Sequence, residues 1–232
     1  MAIASVWTGC SYEVSFEDCE VSCQTSDVCP DGFTCMDGLC RVDGASGTCG
    51  AGGTTLRQTD DDKVERSLVF GCTNSDGTTP DTSWYRVFSL TDEGVDGNFA
   101  VESVGIGVCF VVGMPELTIK IGTLAGAPGT TLDPTDITPL ESTNVTVQPT
   151  QISKLIEVPI MATVPAGSQL VVEVASPNLM GTGAQFTVGV TAADEDRPGY
   201  LRAPLCGTAS ATQTTTAGVP DAHVVLTVTG SR

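Results

Sequence analysis

The stretch "WYRVFSLTDEGVDGNFAVESV", residues 84–104, decides the fold class. Two runs rich in aromatic and β-branched residues, Trp84 to Leu90 and Asn98 to Val104, flank "TDEGVDG", a cluster of the residue types that make turns. Neither run carries the three-to-four-residue apolar repeat of a helix. The unit is therefore strand, turn, strand. It recurs along most of the chain, at Arg66 to Phe70, Gly107 to Val112, Leu117 to Gly122, Thr143 to Val147, Lys154 to Val164, Gln169 to Ala175, Ala184 to Thr191 and His223 to Thr229. The breakers between them, "NSDGTTPD", "LAGAPGTTLDPTD", "VPAG" and "ASPNLMGTG", read as turns or loops.

Two runs alternate clearly. In "HVVLTVT", Val224, Leu226 and Val228 suit a core, with Val225, Thr227 and Thr229 on the opposite face. In "QLVVEVA", Leu170, Val172 and Val174 do the same, with Glu173 outward. Strands this closely spaced leave no room for helices between them. The expected architecture is all-β: an antiparallel β-sandwich of jelly-roll-like form, preceded by a small disulfide-rich loop module.

That module is announced by the cysteines. Seven of the ten, Cys10, Cys19, Cys23, Cys29, Cys35, Cys40 and Cys49, fall in the first fifty positions, and Cys72, Cys109 and Cys206 follow. Structural zinc sites usually use a tight two-cysteine knuckle and often histidine. No C-x-x-C occurs here and the single histidine is His223. A disulfide framework is the better reading, with each bridge contributing about 2 to 4 kcal/mol. All ten cysteines are expected to pair within the chain, and because seven is odd, one bridge should join the knot to the remainder. Cys49 to Cys72 and Cys10 to Cys72 are the candidates. The domain expectation is a strand-like segment over 1–9, the knot over 10–55 and the sandwich over 56–232.

Disulfides persist in oxidising places, so an extracellular or cell-surface location is expected. "MAIASVWTGC" has no Lys or Arg and is too short for a secretory leader. "WTGC" resembles a lipoprotein processing box, with Trp7 where Leu is usual; a lipid anchor on Cys10 is the alternative to its disulfide and would leave nine cysteines to pair. No run of eighteen apolar residues exists to form a membrane-spanning helix. The formal net charge of -18 argues against nucleic acid and anionic lipid surfaces as partners.

The strand succession 84–110, with "VPAGSQLVVEVASP", "AQFTVGV", "PGYLRAPLCG" and "HVVLTVTG", resembles the jelly-roll accessory modules of large secreted bacterial proteins, over about Leu68 to Gly230. "SDVCPDGFTCMDGLC" is similar to short cysteine-rich modules of secreted and lipoprotein-type chains. The resemblance implies a binding, adhesive or structural unit with no catalytic residues to transfer.

The residues themselves agree. A hydrolytic triad would need His223 as base, and no G-x-S-x-G elbow accompanies it. Carboxylates abound, as a glycosidase requires, yet aromatics make up only 5% of the chain, leaving Trp7, Trp84, Tyr85 and Tyr200 as stacking platforms. Acidic loops suit calcium, which takes six to eight oxygen ligands. Of Asp60 to Asp62, Asp92 to Asp96 and Asp194 to Asp196, the "TDEGVDGN" loop is the favoured site, through Asp92, Asp96 and Asn98. Asn144 to Thr146 is an N-glycosylation sequon.

Two functions follow. The first is a non-catalytic structural subunit that assembles with copies of itself into a surface fibre or layer by donating a terminal strand, "AIASVW", whose Ile3, Val6 and Trp7 would enter the neighbour's sheet. The alternative is a carbohydrate- or protein-binding accessory module.

Overall fold

The computed structural model describes residues 23, 29–36, 39–43, 53–65, 71–75, 77–216 and 222–232. The expected strand at Arg66 to Phe70 and the assembly residues Ile3, Val6 and Trp7 lie outside the described residues, as do Cys10, Cys19 and Cys49. The chain divides into two compact units, residues 1–52 and 53–232.

In the first unit, strands β1 (Phe33–Met36) and β2 (Leu39–Val42) form a hairpin with Cys35 opposite Cys40. Two disulfides, Cys23–Cys35 and Cys29–Cys40, tie this hairpin to the chain that precedes it. Each hairpin cysteine thus bonds backwards rather than across the ladder, which fixes the two strands to Cys23 and Cys29.

The second unit is an antiparallel β-sandwich. Its strands are β3 (Thr54–Leu56), β4 (Thr82–Ser89), β5 (Phe99–Val112), β6 (Glu116–Leu124), β7 (Thr131–Leu132), β8 (Thr138–Thr146), β9 (Lys154–Val164), β10 (Gln169–Ser176), β11 (Gln185–Val188), β12 (Val190–Thr191), β13 (Tyr200–Ala203), β14 (Thr208–Gln213), β15 (His223–Val224) and β16 (Leu226–Ser231). One sheet has seven strands in the order β7-β14-β13-β4-β10-β6-β8. The other runs β11-β5-β16-β3, with β9 on the far side of β5. The step from β8 to β9, through a 3-10 turn at Pro149–Gln151, carries the chain from one sheet to the other.

Alternation explains the core. Trp84 and Phe88 of β4, Leu117, Ile119 and Ile121 of β6, and Leu170, Val172 and Val174 of β10 face inward from the large sheet. They meet Phe99, Val104, Ile106 and Val108 of β5, Ile156 and Val158 of β9, and Leu226 and Val228 of β16. Trp84 packs edge-on against Phe186, with ring centroids 5.6 Å apart. Such pairs contribute about 0.5 to 1.5 kcal/mol beyond their buried area.

The structure corrects several expectations. Asn98 to Val104 and Gly107 to Val112 form one continuous strand, β5, rather than two. The intervening glycines do not break it; they let neighbours close in, because a Cβ on Gly105 would fall 2.2 Å from Thr227 Oγ1. The strand expected at Thr143 begins at Thr138, and β13 and β14 appear where no strand was expected, β13 because it is only four residues long and β14 because it is polar. Val225 and Thr227, expected on the far face from the core, are buried too. Val225 lies against Gly107 and Thr227 against Gly105, while Val64 lies against Gly107 and Gly189 and the Glu65 N–H donates to Val190 O. Lastly, Cys72 pairs with Cys206, so neither Cys49–Cys72 nor Cys10–Cys72 forms. The two cysteines sit 6.0 Å apart at Cα because the sandwich brings residues 134 positions apart into contact. Cys109 is buried, its Sγ 3.8 Å from Glu65 O.

Candidate functional site

On the outer face of the seven-stranded sheet, pairing register sets five side chains in one row. Lys120 of β6 stands opposite Glu173 of β10, Glu173 opposite Tyr85 of β4, Tyr85 opposite Tyr200 of β13, and Tyr200 opposite Gln213 of β14. Their neighbours in sequence, such as Ile119, Ile121, Val172 and Trp84, point into the core, so the pleat delivers this row outward. Arg202, two residues along β13 from Tyr200, joins the same face.

Part of the face is roofed. Tyr85, Val87, Val171, Tyr200, Leu132 and Ala211 form a second small apolar cluster, with Leu124 and Ile137 against it. The roof is the 124–137 segment: Tyr200 Oη donates to Gly129 O at 2.9 Å, and Asp133 caps a 3-10 turn over Pro134–Asp136 by accepting from the Thr135 N–H at 2.9 Å and its hydroxyl at 2.8 Å. Those two bonds hold the Asp133 carboxyl below the ordinary carboxylate range. Where the roof stops, a groove of about 610 Å³ opens, lined by Tyr85, Lys120, Glu173, Arg202, Asp133 and Ser210 among others. A second hollow of about 330 Å³ adjoins it and shares Asp133.

The groove's polar chemistry centres on Glu173. Its carboxylate accepts from Tyr85 Oη at 3.1 Å and from Lys120 Nζ at 3.0 Å. Burial raises the Tyr85 hydroxyl well above its ordinary pKa, and the negative charge of Glu173 raises it further, so at physiological pH it is a fixed donor. Arg202 Nη1 donates to Asp81 Oδ2 at 3.2 Å. The Lys120 side chain is 47% exposed and that of Arg202 31%, whereas Glu173 is 13% exposed. The two cations stand at the groove's wet edge and the carboxylate lies deeper.

Of the residues singled out from sequence, Tyr85 and Tyr200 stand in this row and the other described ones lie elsewhere. Trp84 fills the core, and Tyr85 and Tyr200 are buried, so none offers an open ring face. His223 Nδ1 lies 2.7 Å from Glu195 Oε1, while Glu195 Oε2 accepts from Arg86 Nη1 at 2.7 Å. Arg86 is fully buried on the core side of β4; its Nε and Nη2 donate to Val224 O and its Nη1 to Arg197 O. In the acidic loop, Asp92 is ion-paired with Arg197, and Asn98 Oδ1 accepts from the Ala166 N–H. Among the described residues, the one group of three or more His, Cys, Asp or Glu side chains close enough to share an ion is Cys23, Cys29 and Cys40, whose sulfurs are in disulfides. Asn144, the sequon asparagine, is exposed on β8.

Sequence reasoning named Glu173 only as an outward residue and passed over Lys120 and Arg202. The available signal was a lone charge inside each of three apolar strands, "LTIKIG", "QLVVEVA" and "YLRA". What it lacked was the register that sets them side by side.

No family model and no curated protein matches the chain. Among solved structures it is similar to the cysteine protease and lectin-like domains of Cwp84, a surface layer associated protein of Clostridium difficile. The identity is 11% and the TM-score 0.42, over 66% of this chain and 33% of that one, so the chain spans about a third of that structure's length.

Proposed function

We propose that this chain is a non-catalytic, extracellular accessory module that holds a surface ligand in the groove on the outer face of its seven-stranded sheet. The observation that carries the reading is the groove itself: an open concavity with convergent polar groups, Tyr85, Lys120, Glu173 and Arg202, placed on rigid strands. The strands' backbone groups are already paired on both sides of β4, β10 and β6. Side chains are therefore what this face presents to a ligand. The disulfides support an oxidising location. A binding role is preferred to catalysis because the single imidazole is packed beside Glu195 and Glu173 already accepts two hydrogen bonds.

The test is a binding screen of the purified chain on arrays of glycans and extracellular proteins, beside Ser210→Trp. Ser210 is an exposed residue of the groove lining, and an indole there fills the groove without entering the core. Binding by the native chain that the variant loses, with unchanged near-ultraviolet circular dichroism, supports the reading. Binding that survives the substitution, or none on either array, overturns it.

A further inference from the structure

We infer that the disulfide knot is also a metal site: once both of its described bridges are reduced, Cys23, Cys29, Cys35 and Cys40 hold Zn2+ as four thiolates. The site belongs to the first unit by itself and owes nothing to the groove.

The first observation is where the sulfurs sit. The Sγ atoms of Cys23, Cys29 and Cys40 all lie within 4.8 Å of one another. They come from two different bridges, Cys23–Cys35 and Cys29–Cys40, so the bridges stand side by side. Thiolates on a tetrahedral zinc, each about 2.3 Å from it, are about 3.8 Å apart, and a shift of about an ångström brings these three to that spacing. Cys35 is bonded to Cys23 and supplies the fourth sulfur from beside the same cluster. The β1–β2 hairpin places it: Cys35 faces Cys40 in register with four residues between them, inside the two-to-four spacing of a zinc knuckle. No histidine is required, because four cysteines make a complete structural set.

The second observation is the lack of another core. Among the described side chains of this unit Cys40 alone is buried, and Val42 is exposed. A ladder of four residue pairs does not stand by itself in water, so sulfur chemistry holds the hairpin. Without bridges it needs a different staple, and thiolate-bound zinc contributes its binding energy directly to folding. The exchange balances. A dithiol reductant gives each bridge two electrons and two protons and leaves as its own disulfide, so two bridges become four thiols. Zn2+ then displaces four protons to solvent. Two oxidant disulfides take the four electrons back with four protons from solvent, the bridges re-form and the ion leaves. The knot thus has one staple for each redox setting, disulfides in an oxidising place and zinc where thiols stay reduced.

The test is to reduce the full chain with a phosphine, remove the phosphine, and titrate with Co2+ and then Zn2+ under argon. One Co2+ per chain should bind with the thiolate-to-metal charge-transfer bands of four-sulfur coordination, and Zn2+ should displace it. Hydrogen-exchange protection of the Phe33–Met36 and Leu39–Val42 amides should return with the metal, and the oxidised chain should take up none. Cys23→Ser and Cys40→Ser should each weaken zinc binding at least about tenfold. Cys10→Ser in the first unit and Cys206→Ser in the second should bind as the native chain does, which separates loss of a ligand from general loss of a thiol. No uptake by the reduced chain overturns the site, as does uptake that Cys23→Ser and Cys40→Ser leave unchanged, or that Cys10→Ser or Cys206→Ser weakens equally.

Discussion

At the scale of single residues, the costliest side chain is Arg86. Burial in the core disfavours its charge, and Glu195 offsets that cost. Four donors find partners, so the group is satisfied in place. Arg86→Met should leave the Glu195 carboxylate buried without its counter-charge and destabilise the sandwich by about 3 to 5 kcal/mol, read from urea unfolding. A second residue sets a pH dependence. Glu93 is half-buried, and that burial, with the neighbouring Asp196 carboxylate next, raises its pKa. A carboxyl whose folded pKa exceeds its unfolded one holds more protons in the native state, so its share of stability falls as pH rises through the ordinary carboxylate range and up through the raised value. Glu93→Gln should therefore raise the melting temperature at neutral pH, and the gain should vanish below the ordinary carboxylate range. A gain that persists in acid would mean the carboxyl is not the cause.

At the scale of elements, β5 organises the second sheet. Along its length it pairs with β9 on one side and, on the other, first with β16 and then with β11. The handover happens at Gly107, whose N–H donates to Val225 O and whose carbonyl accepts from the Gly189 N–H. Both glycines are needed for closeness: a Cβ on Gly189 would lie 2.7 Å from the Gly107 carbonyl carbon and 2.8 Å from Val64 Cγ2. Backbone cannot swing aside as a side-chain tip can. Gly189→Ala is expected to cost about 1 to 3 kcal/mol, lowering the melting temperature by about 2 to 4 °C for each kcal/mol. An unchanged melt would show that this crossing is slack. Both "GIG" at 105–107 and "VGV" at 188–190 were readable as glycines inside strands, which mark close backbone approach. Which strand approaches which was not readable.

At the scale of the whole molecule, the Cys72–Cys206 bridge closes the longest covalent loop among the described residues, with its ends 134 positions apart. Crosslinks across long loops restrict the unfolded chain most. The Cys72→Ser, Cys206→Ser double variant should lose about 4 to 5 kcal/mol by that chain-entropy account, measured by guanidinium unfolding beside the native chain. A loss below 1 kcal/mol would mean that restriction of the unfolded chain by this loop is not what the bridge contributes. The groove belongs to this scale as well, since β4, β6, β10 and β13 and the 124–137 roof all contribute to it.

What the sequence determined by itself was the class of the molecule: period-two patterns in "QLVVEVA" and "LTIKIG", turn clusters between runs and closely spaced cysteines fix an all-β, disulfide-bearing chain, because alternation and turn chemistry are local. Even the outward direction of Glu173 follows from its neighbours. The tertiary structure alone decided which strands adjoin. Register is a long-range quantity, and it set Lys120, Glu173, Tyr85 and Tyr200 in one row, joined Cys72 to Cys206, and buried Val225 and Thr227 along with their core-facing neighbours. A strand records which side chains share a face; only its partners decide what that face becomes.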